Sequence, residues 1–155
     1  MKNQTQKKSV SIVEDSVAAY YSIPSYAHFI NNPLQVSELI ENGLPYHFFA
    51  IVSKNIPFNE EEWAEILNIS TKSLQRYRLD KSFLFKPIHA EKIMEITEVT
   101  FLGMEVFGDL DKFKTWLKSE NFALGNHKPQ ELLRNSYGKE LVVNELNRIQ
   151  YGIFA

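Results

Sequence analysis

Apolar residues along this chain recur at spacings of three and four, and strand-like alternation is scarce, so the pattern predicts helices almost throughout. Pro33 opens PLQVSELIEN with Leu34, Val36, Leu39 and Ile40 apolar, and Gly43 stands where a helix end favours a left-handed residue. A second short helix is expected from Pro45 to about Lys54, followed by a break at Pro57 and a restart at Asn59. Glu62, three residues after Asn59, completes a capping-box register. From Lys86 to Phe107 a long pattern places Ile93, Ile96, Val99, Gly103 and Val106 on one side, and Gly108 ends it. DLDKFKTWLKSE makes the next helix, started by Asp109 or Asp111, with Phe113, Trp116 and Leu117 on one face. After the loop NFALGNHKP, Pro129 opens a helical turn, Gly138 punctuates, and KELVVNELNRIQY forms a last helix that Gly152 stops. Val142, Leu146 and Ile149 are its core stripe, with Leu141 beside them.

Within this pattern, EEEWAEILNISTKSLQRYRL, residues 60–79, has the spacing of a helix-turn-helix. Trp63 and Leu67 face inward, Ala64 is small where a second helix must cross, and Asn68 can adopt the positive φ of a tight turn. Ile69 plugs the corner, Ser70 caps the second helix, and Leu74 and Tyr77 are its inward residues. The outward residues are Thr71, Lys72, Ser73, Gln75, Arg76 and Arg78, side chains that donate to base edges and phosphates. A helical hairpin with a solvated basic face meets the same spacing. The fold expected is therefore all-α: a flexible arm over residues 1–20, a helix-turn-helix domain over 21–97, and a small helical domain over 98–155 joined through the long helix.

Composition narrows the chemistry. The net charge of −2 excludes a generally basic nucleic-acid binder, yet residues 70–92 carry six lysines or arginines against Asp80 and Glu91, while 60–65 hold four glutamates. A neutral total thus conceals a basic edge. The chain has no cysteine, which removes disulfides, thiolate metal sites and a Cys nucleophile. His28, His47, His89 and His127 are scattered without metal-ligand spacing, and no glycine-rich phosphate loop or nucleophile elbow occurs, so no catalytic residue, metal or cofactor is expected. Paired acids such as Asp109 and Asp111, or Glu60 to Glu62, fall at helix starts, where the macrodipole accounts for them. Phe48, Phe49, Trp63, Phe107, Phe113 and Trp116 are core positions; Tyr20, Tyr21 and Tyr26 are expected to pack locally or against a dimer mate. Without a membrane span or signal peptide, the expected compartment is the cytoplasm.

The stretch after Gly152 is Ile153-Phe154-Ala155, an apolar stub that needs cover from its own domain or from another protein.

The order VFGD, WL, N-x-ALG-x-x-x-P, LL, S-x-G and V-x-x-x-L-x-R-I-x-x-G, between Val106 and Gly152, resembles the C-terminal domain of the Xre-type antitoxins paired with RES-domain toxins, the group that includes ParS and MbcA antitoxins. LNISTKSLQRYRLDKSFL resembles the helix-turn-helix of the same family, so the likeness covers residues 33 to 155. It implies a non-enzymatic antitoxin of a type II toxin–antitoxin system. Such a protein would neutralise a RES-domain toxin that degrades NAD or transfers ADP-ribose, by covering its active site. It would also bind operator DNA to repress its operon, and form a homodimer or a higher toxin–antitoxin assembly, with no membrane and no small-molecule substrate. On this likeness the toxin-binding residues are Asn147, Arg148, Tyr151, Gly152, Ile153, Phe154 and Ala155. The alternative is a stand-alone helix-turn-helix transcriptional regulator without a toxin partner, or an adaptor whose helix-turn-helix no longer meets DNA.

Overall fold

A computed structural model describes residues 31–152. The arm before Asn31 and the stub Ile153, Phe154 and Ala155 lie outside the described residues. Helix α1 (Pro33–Glu41) starts on its proline and leads through Gly43 to a two-residue strand, β1 (Leu44–Pro45). Pro45 then serves as the N-cap of α2 (Tyr46–Ser53). The helix pair α3 (Glu60–Leu67) and α4 (Thr71–Leu79) follows, then β2 (Leu84–Phe85). β2 pairs antiparallel with β1, Leu44 opposite Phe85, and ties the segment after the helix pair back to its start.

The long helix α5 (Pro87–Phe107) runs through the middle and packs against α1, α3, α6 (Leu110–Lys118) and α8 (Ser136–Gln150). Between α6 and α8 lie a 3-10 turn, Phe122–Leu124, and the one-turn helix α7 (Pro129–Leu132). Among the described residues the regular elements are helices apart from the short strand pair, as the apolar spacing predicts.

The ends of these helices follow from their own residues. Asn59 and Glu62 exchange side-chain and backbone bonds of 2.8 Å each, a complete capping box at the start of α3. Asn68 ends that helix at φ 53° and ψ 46°, the left-handed corner that a short amide side chain tolerates. Ser70 and Asp109 cap α4 and α6 by accepting from backbone N–H groups three residues on, so Asp109 rather than Asp111 starts α6. Gly108 closes α5 at φ 67°.

The last helix departs from the expectation. It begins at Ser136, not at Lys139, with Asn135 accepting from the Gly138 N–H at 2.9 Å. Gly138 is buried inside the first turn, where α8 crosses the carbonyl of Leu132. It allows a close approach rather than punctuating. Leu141 also departs, being exposed rather than beside the core stripe, while Val142 and Leu146 are fully buried.

One apolar cluster joins the helix pair to the C-terminal helices, running from Leu39, Phe48 and Trp63 through Ile93, Ile96 and Leu102 to Phe113, Leu133 and Leu146. The 97/98 division expected from sequence falls inside α5, whose Ile96 and Val99 sit in that shared core.

Candidate nucleic-acid and partner interfaces

Leu74 is buried between α4 and the core, and Tyr77 stacks on Phe83 with ring centres 3.7 Å apart, so the inward side of α4 is fixed by packing. Lys72, Gln75, Arg76 and Arg78 are exposed, while Thr71 and Ser73 are half-buried at the flank. Ser73 is engaged locally: its N–H donates to the Ser70 hydroxyl, and the two hydroxyls lie 2.9 Å apart. Arg76 spreads over the Tyr77 ring at 5.6 Å, which holds its aliphatic stem without removing its charge. Among the described residues, none of Lys72, Arg76, Arg78, Lys81 and Lys86 takes part in an ion pair.

Sequence reading missed Leu79, which is 82% exposed. It follows Lys72, Gln75 and Arg76 at helical spacing on the outward side of α4, and the i, i+3, i+7 register from Lys72 was the available signal.

The glutamates of α3 have a different fate. Lys118 at the end of α6 reaches Glu62 at 2.6 Å, and Arg134, just after α7, pairs with Glu65. Burial works against ionisation of Glu62, but Lys118, the Asn59 N–H and Gln130 outweigh it and hold the carboxyl below its usual range. The macrodipole reading is thus incomplete for Glu62, which together with Glu65 fastens the C-terminal helices to the helix pair.

In the C-terminal part, Tyr137, Leu141, Asn144, Arg148 and Tyr151 fall at spacings of four, three, four and three along α8 and its cap, on the side away from Val142 and Leu146. Tyr137 is 85% exposed, and Leu141 and Tyr151 are exposed as well. Phe122, at the tip of the 3-10 turn, is 89% exposed; the turn is closed by the Asn121–His127 bridge and by the Asn126 N–H donating to the Asn121 carbonyl at 2.9 Å.

Of the residues assigned to a partner from sequence, Asn147 and Arg148 are half-buried, and Tyr151 and Gly152 are exposed at the helix end. Arg148 makes two bonds to Glu145, at 2.8 and 3.0 Å, and Glu145 is itself buried. Drawing Arg148 away from Glu145 would leave a buried carboxylate unpaired, so only its remaining donors are open to a further contact. Sequence reading puts Leu141 beside the core stripe, because apolar residues on a helical stretch default to core, and passes over Tyr137 and Phe122. The cue was that Tyr137, Leu141 and Tyr151 share a face opposite Val142 and Leu146.

The described residues thus form a helix pair with an exposed basic face, fastened by its acidic side to C-terminal helices that carry exposed aromatics. Residues 102–152 match the family model described as the antitoxin Xre/MbcA/ParS C-terminal toxin-binding domain. It is similar to the Antitoxin Xre of Yersinia enterocolitica serotype O:8 / biotype 1B, 31% identical over 96 residues that cover 59% of this chain and 64% of that protein. A solved structure, that of the M. tuberculosis MbcT-MbcA toxin-antitoxin complex, matches with a TM-score of 0.53 and 24% identity over 67% of this chain and 94% of the matched one, a likeness of fold. These findings agree with the resemblance drawn from the order of motifs between Val106 and Gly152.

Proposed function

We propose that the protein is the antitoxin of a type II toxin–antitoxin pair. Its C-terminal helices bind the cognate toxin, and the helix-turn-helix represses the shared operon. The observation that carries the reading is the outward stripe of α8, Tyr137, Leu141 and Tyr151, exposed on a segment that matches a toxin-binding domain. Aromatic side chains left on a surface gain most by entering a partner's pockets. The motif order supports a RES-domain toxin that consumes NAD or transfers its ADP-ribose. Neutralisation then needs no chemistry from this chain, because a helix end and an apolar stub laid across the toxin's cleft exclude substrate sterically.

Asn147, Arg148, Tyr151, Gly152, Ile153, Phe154 and Ala155 are the residues assigned to that covering role. Thr71, Lys72, Ser73, Gln75, Arg76 and Arg78 are assigned to the operator. Co-expression with the product of the adjacent gene tests the pair. Deleting Tyr151 to Ala155 should restore toxicity, and Tyr137→Ala with Leu141→Ala should weaken the complex by about tenfold or more. Full neutralisation by the truncated chain sinks the covering mechanism. A failure to form any complex with the adjacent product returns the protein to the stand-alone regulator.

A further inference from the structure

A groove runs between α1 and the first turns of α5. Pro33, Val36 and Ile40 form one wall, Pro87 and Ile88 the other, and together they enclose about 630 Å³. Ile88 is 71% exposed, and Leu34 of α1 is exposed as well. Leu39 is the buried residue of α1, with Val36 and Ile40 partly buried against the core, so this nine-residue helix holds to the molecule by one side. A helix so short does not persist on its own and gains from cover on its other face. Glu41 and Glu91, both exposed, line the groove, and Glu98 at its edge is paired with Lys139.

Two occupants present themselves, a second copy and the chain's own preceding segment. A two-fold dimer would bring the same surface of each copy together, setting Glu41 and Glu91 against their equivalents. The preceding segment brings no such like-charge conflict. Residues 17–30, VAAYYSIPSYAHFI, contain no Asp, Glu, Lys or Arg, and the charges upstream of them are mixed, Lys2, Lys7 and Lys8 with Glu14 and Asp15. The segment also enters α1 directly through Asn31 and Asn32, at the wall that Pro33 begins. Fourteen residues reach up to about 46 to 50 Å when extended, several times the length of α1, so folding back along it is within range.

We propose that residues 17–30 lie in this groove of their own chain, covering Val36, Ile40 and Ile88 with a stretch that adds no charge beside Glu41 and Glu91. The first part of the chain is then a third wall of the helix-turn-helix domain rather than a free arm.

Because the natural chain has no cysteine, paired substitutions report the contact without competition. Ser22→Cys is combined with Glu91→Cys in the groove, or with Lys81→Cys on an exposed loop outside it, and each full-length protein is treated with a short bis-maleimide. The expected result is a monomeric cross-link that forms roughly tenfold faster in the groove pair, reflecting the higher local concentration of a docked segment. Adding Ile88→Glu to the groove pair should bring its rate down to that of the loop pair. Equal rates in the two pairs overturn the proposal, as does a product of twice the monomer mass, which would give the groove to a second copy.

Discussion

Replacing Gly138 by alanine should unseat α8, for a reason particular to the way that helix starts. A Cβ at this position overlaps the Leu132 carbonyl oxygen and comes within 2.8 Å of its carbon and 3.1 Å of its Cα. Those atoms are backbone, so no rotamer change relieves them; the connection from α7 to α8 must open. Opening it pulls on Leu133, which is 1% exposed, and on the Asn135 cap bond to the Gly138 N–H.

Overpacking of this kind costs about 3 kcal/mol, at the upper end because the obstacle is rigid. Against that, alanine gains at most about 1 kcal/mol of helix propensity over glycine. The net loss is about 2 kcal/mol, and a chain of this length loses about 2 to 4 °C of Tm per kcal/mol, so thermal denaturation should shift down by about 4 to 8 °C. Gly103→Ala is the natural comparison, since its Cβ overlaps the Phe113 ring, a side chain rather than backbone, and it should cost less. An unchanged or raised Tm for Gly138→Ala, measured by circular dichroism on the whole chain, would refute the close-approach argument and restore the glycine to a simple punctuation mark.

Other expectations follow from the same geometry. On the operator, Lys72→Ala and Arg76→Ala should each weaken binding by about 1 to 3 kcal/mol and flatten its salt dependence; affinity and salt slope unchanged in a mobility-shift titration would remove DNA from α4. A double-mutant cycle on Glu62 and Lys118 should give a coupling of about 0.2 to 1 kcal/mol, because Lys118 is partly solvated, and no coupling would mean that apolar packing alone fixes the seam. His89 is held below its ordinary pKa by burial and by the Lys86 charge, despite a hydrogen bond with the Leu67 backbone that acts the other way. The unfolded chain therefore binds this proton first. Stability should fall as pH drops from about 6.5 through the folded pKa and be flat in this respect above it; His89→Gln should abolish that part of the slope in urea titrations at stepped pH.

What the sequence made legible is what a few neighbouring residues decide. The Asn59–Glu62 box, the left-handed Asn68, the Ser70 and Asp109 caps and the Gly108 stop each involve partners within four residues. The β1–β2 pairing joins Leu44 to Phe85 across the whole helix pair, and two-residue strands leave no alternation to read. Gly138 depends on where Leu132 arrives, which is set by packing of α7 on α8. The outward stripe of α8 failed for a related reason: Leu141 lies one residue from buried Val142, and apolarity alone does not say which of two adjacent residues faces in. Arg148 is the case that spacing could have revealed, because Glu145 precedes it by three residues on the same helix.

The charge pattern is where sequence and fold together say more than either alone. Four glutamates stand within residues 60–65, next to the helix proposed to meet operator phosphates, and in isolation they would repel the same backbone that Lys72, Arg76 and Arg78 attract. In the folded chain Lys118 and Arg134 cross from the C-terminal helices to Glu62 and Glu65 and neutralise half of that acidic group. The cations of α4 receive no such partners among the described residues. Docking of the C-terminal helices therefore does two things on the proposed reading: it positions the α8 stripe for a toxin, and it lowers the electrostatic barrier to DNA at the helix pair. Lys118→Ala with Arg134→Ala, on the C-terminal helices rather than on α4, should then weaken operator binding more at low salt than at high salt, because the two uncovered carboxylates act over a screened distance.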